Sequence, residues 1–130
     1  MKLETVLAVG FGGFIGANLR LYLNGLVNNS ITFLTIPLGT LTVNLLGSFL
    51  IGFLFSYIQN YPFPIYLKTL LITGFLGALT TFSTFAYESL VLLENGKFGS
   101  AFINIGFNLF GTIFMAYLGT LISAYYFGTD

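Results

Sequence analysis

Thr80, Thr81, Phe82, Ser83 and Thr84 follow one another inside an otherwise apolar segment, within the run GFLGALTTFSTF at 74–85. Clustered hydroxyls compete for backbone hydrogen bonds, and Gly74 and Gly77 let the chain leave helical angles or approach another backbone closely. The apolar segment covers about residues 65–93, well beyond the ~20 that cross a bilayer as helix. A break near residues 79–83 accommodates both observations. Irregular backbone at membrane depth persists only where protein or a water-filled cavity satisfies its amides and carbonyls, and such interruptions commonly hold an ion or substrate site. The alternative is a Thr-rich kink in an ordinary helix. Phe82 and Phe85 stand three residues apart beside this stretch, so their rings can turn to one side. A ring edge is positive and can face an anion without a formal charge. The other Phe residues read as lipid-facing or packing bulk.

The elements that must position this stretch are membrane spans. The chain has 130 residues, 56% of them hydrophobic and only 6% charged, and its mean hydropathy is +0.93. A soluble surface wants roughly 25–35% charge. The chain therefore reads as an all-α integral membrane protein, with room for four transmembrane helices in a single domain, 1–130. Cys and His are absent, which removes disulfides, thiolate chemistry and most transition-metal sites. A net charge of zero argues against nucleic acid as a partner. No pair of nucleophile and base can be assembled, so an enzyme is not expected. The first segment is longer than a signal-peptide core and reads as a retained span.

That first span, about residues 3–27, carries Gly12, Gly13, Gly16 and Ala17, a small-residue stripe suited to close helix packing. Arg20 continues the stripe. Near a helix end an arginine snorkels to the interface; on a packing face it looks into a vestibule and attracts anions. Residues 24–32 read as a polar loop. The second span, about residues 36–58, has Pro37 in its first turn and places Thr40, Asn44 and Ser48 four apart on one face. Asn44 serves either as interhelical glue or as a donor lining a pore. In the third span Glu88 follows the break, where it either relays protons or reaches water or a basic partner near the helix end. The fourth span, about residues 98–127, repeats the pattern of the second with Ser100, Asn104, Asn108 and Thr112. Two polar-striped helices and an interrupted third exceed what glue requires, and point to a hydrated path for a small solute.

If the spans alternate, Lys2 and Lys68 fall on one side of the membrane, with Lys97 and the nearby Arg20 on the other. The positive-inside bias is then close to nil. Balanced flanks permit insertion in both orientations and hence an antiparallel dimer, and four short spans enclose too little for a pore alone. The rival from another class is a small proton-coupled multidrug or anion exporter. It would need a carboxylate deep in a span; Glu4 lies at the start of the first and Glu88 past the break. A protein that merely oligomerises leaves the Thr and Phe cluster without a purpose.

Over its whole length the chain resembles the Fluc (CrcB) fluoride channel family. The likeness is carried by G-x-x-G-A-x-x-R at 13–20, N-x-x-G at 44–47 and, most specifically, G-x-x-G-x-x-T-T-F-S-T-F at 74–85. The resemblance implies a dual-topology homodimer of antiparallel subunits in membrane lipid, with two pores along their interface. These would export fluoride passively across the plasma membrane, the inner membrane of a bacterium, and protect against its toxicity. By the same resemblance Phe82 and Phe85 form the aromatic wall that meets the ion, Asn44 donates its amide hydrogens, and the hydroxyls of Ser83 and Thr84 lie beside them. Asn108 and Thr112 continue the pore, and Arg20 sits toward an entrance. The main-chain carbonyls of Gly77 and Thr80 from both subunits hold a buried structural sodium at the dimer centre. Along the fourth span, where the family is expected to carry Tyr or Ser, this chain has Asn104 and Asn108. The physics agrees: a small, hard anion needs many donors and positive ring edges in place of water, and no fixed strong cation that would trap it. A negative interior drives export without a pump, at about 2.3 kcal/mol per charge per 100 mV.

Overall fold

The computed structural model describes residues 1–128 as helices joined by short connections. Four of its helical spans are long and apolar enough to cross a membrane. Helix α1 is Leu3–Ser30, 28 residues, about 42 Å at 1.5 Å per residue. Helix α2 is Leu38–Asn60. The third span, Ile65–Glu94, is made of two helical parts. Its first part, α3, begins as Ile65–Lys68, widens into a π-helical run at Thr69–Leu76 and closes with the turn Gly77–Leu79. Thr80 (φ −83°, ψ 156°) and Thr81 (φ −151°, ψ 112°) then take extended angles. Its second part, α4, is Phe82–Glu94. The fourth span, α5, is Phe98–Gly106, a π-helical run Phe107–Gly111, and Thr112–Phe127.

Two boundaries differ from the sequence reading. Helix α1 does not yield to a polar loop at residue 24 but runs on to Ser30. Its polar side chains there bond within the helix and to the start of α2: Ser30 Oγ donates to the Leu26 carbonyl at 2.7 Å, and Asn28 Oδ1 accepts the Gly39 N–H at 2.9 Å. Pro37 precedes the first turn of α2 as its cap residue instead of lying within it.

The packing inverts that of a soluble bundle. Large apolar side chains such as Phe14, Phe102, Phe110 and Phe114 face outward, while Thr40, Asn44, Ser89, Asn104 and Asn108 are buried. Where helices touch, glycines bring backbone against backbone, as expected when lipid supplies no hydrophobic drive between helices. Gly12 and Gly16 of α1 lie against the Leu70 and Phe75 carbonyls of α3. Gly52 of α2 faces the Ala116 carbonyl, and Gly119 of α5 faces the Phe49 carbonyl. These two seams hold α1 to α3 and α2 to α5, and the apolar cluster Val43, Leu76 and Leu79 joins α2 to the end of α3.

Candidate functional site

The extended pair at 80–81 leaves backbone polar groups without helical partners, and the neighbouring elements supply them. Thr80 N–H still reaches the Leu76 carbonyl at 3.1 Å. The Thr80 carbonyl accepts from Arg20 Nη1 at 3.3 Å. Asn44 of α2 takes both polar groups of Thr81, with Oδ1 accepting its N–H at 2.8 Å and Nδ2 donating to its carbonyl at 3.1 Å. Thr81 also caps α4: its Oγ1 accepts the Thr84 N–H at 3.2 Å, the role for which Thr is favoured at this position. The carbonyls of the last turn of α3, Gly77 among them, lack intrahelical donors by position.

From Asn44 a hydrogen-bonded series crosses to α5 and returns to α4. Asn44 Nδ2 donates to Asn108 Oδ1 at 2.9 Å. Asn108 Nδ2 donates to the Asn104 carbonyl and Oδ1 at 3.0 and 3.1 Å. Asn104 Nδ2 donates to Ser89 Oγ at 2.9 Å, and Ser89 Oγ to the Phe85 carbonyl at 2.8 Å. Every member is buried, so each bond removed would leave a desolvated group unpaired. The π-helical run of α5 contains Asn108; such widenings are frequent at functional sites.

Beside this series lies a cavity of about 300 Å³. Its wall includes Asn44, Asn108 and Thr112 from the polar stripes, Gly77 and Thr80 from the end of α3, and Phe82 and Phe85 from the start of α4. The two rings meet edge to face, centroids 5.3 Å apart. They differ in setting: Phe85 is 6% exposed and Phe82 72%. No carboxylate lines this cavity among the described residues. Glu88 opens on a separate space of about 350 Å³ near the α1–α2 connection, and its Oε1 accepts from Thr40 at 2.9 Å. Among the described residues no cluster of three or more His, Cys, Asp or Glu side chains could hold a metal.

A family model described as CrcB-like protein, Camphor Resistance (CrcB), matches residues 7–120. The chain belongs to the CrcB family. It is 53% identical over 120 residues to the fluoride-specific ion channel FluC of Campylobacter jejuni, covering 92% of this chain and 98% of that one. The FluC proteins of Campylobacter fetus and Sulfurimonas denitrificans are 49% and 50% identical, over 92% and 89% of this chain and 93% and 90% of theirs. This CrcB protein is thus a multi-pass protein of the plasma membrane, in a family of channels and not of enzymes.

Within this CrcB protein the residues nominated from sequence divide into two groups. Asn44, Phe82, Phe85, Asn108, Thr112, Gly77 and Thr80 line the one cavity. Ser83, Thr84 and Arg20 do not. Ser83 is exposed, Thr84 accepts from Thr81 Oγ1 at 2.9 Å, and Arg20 reaches the backbone at Thr80. Sequence reasoning missed the link from Asn104 through Ser89 to the Phe85 carbonyl, because it joins two spans whose register no local pattern states. It also left Ser48 of the cavity wall out of the site, although the four-residue spacing from Asn44 was a usable signal.

Proposed function

We propose that this chain is a fluoride channel that exports the ion passively. The observation carrying this reading is the cavity itself, walled by two aromatic rings and buried amides and hydroxyls, with no acidic side chain on its wall among the described residues. Positive ring edges and hydrogen-bond donors suit a small anion, and the relatives that match nearly the whole chain bear the name fluoride-specific ion channel. A proton-coupled exporter would need a carboxylate in the path, and Glu88 opens elsewhere. Expression in bacteria lacking their own fluoride exporter tests the reading. Growth in fluoride-containing medium should be restored, and unchanged sensitivity would count against it.

Two copies arranged antiparallel, with two pores along their interface, complete the proposal. The third span interrupted at 80–81 is central to it, since the interruption falls near the middle of Ile65–Glu94, where two inverted copies would meet. The exposed Phe82 ring would find its cover there, and the small difference between Lys2 and Lys68 on one side and Lys97 on the other gives little bias to either orientation; Arg20 reaches the middle of the third span and does not count as a flanking charge. Equal labelling of a terminal cysteine from both sides of intact cells is expected. Labelling from one side only would remove the antiparallel arrangement.

A structural sodium fits the same place. Gly77 and Thr80 border the cavity, their neighbours carry no carboxylate, and oxygen dipoles without charge, such as their carbonyls, suit a monovalent ion better than calcium or magnesium. The Thr80 carbonyl has a second lone pair beyond the one facing Arg20. Bound there, the ion would neutralise carbonyl repulsion and raise the positive potential near the anion path.

A further inference from the structure

Helix α4 starts afresh after the extended pair at 80–81, so the helix before it does not set its rotation. Side chains of other elements do. At its cap, Asn44 of α2 holds both main-chain groups of Thr81. Farther along, Thr40 of α2 donates to Glu88 at 2.9 Å, and Asn104 of α5 donates to Ser89 Oγ at 2.9 Å. Thr81, Phe85 and Ser89 are four residues apart and share one face. The Phe85 ring on the cavity wall therefore lies between two held points.

Ser89 is where the hold from α5 reaches Phe85. Its hydroxyl is engaged on both sides: the oxygen accepts from Asn104 Nδ2, and the hydrogen goes to the Phe85 carbonyl at 2.8 Å. The residue is 5% exposed and does not itself line the cavity. Asn104 is fully buried, and its Oδ1 accepts from Asn108 Nδ2 at 3.1 Å. A flip of the Asn104 amide would set two amide nitrogens against each other and oblige Ser89 to give up the Phe85 carbonyl. Asn108 is held in turn, since its Oδ1 accepts from Asn44.

We propose that Ser89 is a positioning residue for Phe85: tied to α5 through Asn104, it fixes the rotation of α4 and with it the place of the ring on the cavity wall. The inference rests on the fluoride-channel reading for its effect on flux, and adds to that reading a residue that acts through the ring. A positive ring edge serves an anion only when it faces the path, so a small turn of α4 slows passage without unfolding the helix.

The test joins fluoride efflux from proteoliposomes with fluorine NMR of a para-fluorophenylalanine label at position 85 or 82, in the wild-type chain, Ser89→Ala, Asn104→Ala and the double variant. Ser89→Ala should shift the signal of the label at 85 more than that at 82, which Asn44 holds from the neighbouring cap residue. It should slow fluoride efflux by about threefold to about tenfold, the span that one neutral hydrogen bond supports. Asn104→Ala should slow efflux at least as much, and the double variant no more than the slower single one, because both act through one bond. An unmoved label at 85 would overturn the inference, as would wild-type efflux in Ser89→Ala. Equal shifts at 82 and 85 would also overturn it, because they mark a loosened bundle and not a turned ring; so would losses that multiply in the double variant. No fluoride movement through the wild-type chain is a separate result: it would remove the channel reading, while the label signals still decide whether Ser89 sets the ring.

Discussion

Asn44→Asp alters the polarity of the site while keeping its shape: the Nδ2 amide becomes a second carboxylate oxygen. Two contacts then turn from donor against acceptor to acceptor against acceptor, one with the Thr81 carbonyl at 3.1 Å and one with Asn108 Oδ1 at 2.9 Å. The Thr81 carbonyl is main chain and cannot turn away. Asn108 can rotate its amide to donate, but only by losing its bonds to the Asn104 carbonyl and Oδ1. The bond from Thr81 N–H, at 2.8 Å, survives. A buried group left without its partner costs about 1–3 kcal/mol, whereas interhelical hydrogen bonds in membrane proteins average about 0.6 kcal/mol by double-mutant cycles. Two lost bonds therefore destabilise by roughly 1 to 6 kcal/mol. The new oxygen borders the cavity, so a negative charge there opposes an anion as well; about 3 kcal/mol added to the barrier slows passage by about a hundredfold. Thermal unfolding in detergent and fluoride efflux, measured on the same preparation, separate the two effects. A lower Tm together with near-abolished efflux is expected. Wild-type values of both would refute the reasoning, because the bonds joining Thr81, Asn44 and Asn108 would then carry neither stability nor passage.

Phe85→Ile and Phe82→Ile should each cut fluoride efflux severely while leaving the size-exclusion profile unchanged from wild type, since aliphatic carbon replaces a positive ring edge; normal flux through both would show that the rings only pack. Gly119→Ala should destabilise by about 1–3 kcal/mol in thermal unfolding, because its Cβ would meet the Phe49 carbonyl and, at 2.9 Å, the Phe53 nitrogen, both main chain. Gly13→Ala is the control and should be tolerated, its nearest atom lying 3.9 Å away. Prolonged removal of sodium should lower fluoride efflux and Tm, with recovery on its return; flux indifferent to sodium would rule out the structural ion.

Much of this arrangement is legible in the sequence, and the limits of legibility have physical causes. Apolar runs mark the four spans because length and hydropathy are local properties. The four-residue spacing of Asn44 and Ser48, and of Asn104, Asn108 and Thr112, puts each set on one helix face, and the structure turns both faces inward. Partners across spans are not local: that Asn44 meets Asn108, and Asn104 meets Ser89, depends on the relative height of two helices. The π-helical runs at Thr69–Leu76 and Phe107–Gly111 carry no composition signal of their own. Residues 24–30 read as loop because Asn and Ser favour turns, yet here their side chains bond within the helix and to the start of α2. Arg20 was placed by its stripe on a packing face, but its reach to the Thr80 carbonyl needed the approach of α1 to α3.

The central claim is that the cavity between Asn44 and the Phe82–Phe85 pair carries fluoride without proton coupling. Fluoride efflux from proteoliposomes, recorded at neutral pH with the proton gradient held at zero and chloride as the competing anion, tests it most directly. Rapid fluoride release with chloride far slower is the predicted result. Release that appears only when a proton gradient is imposed, or chloride passing as fast as fluoride, would contradict it.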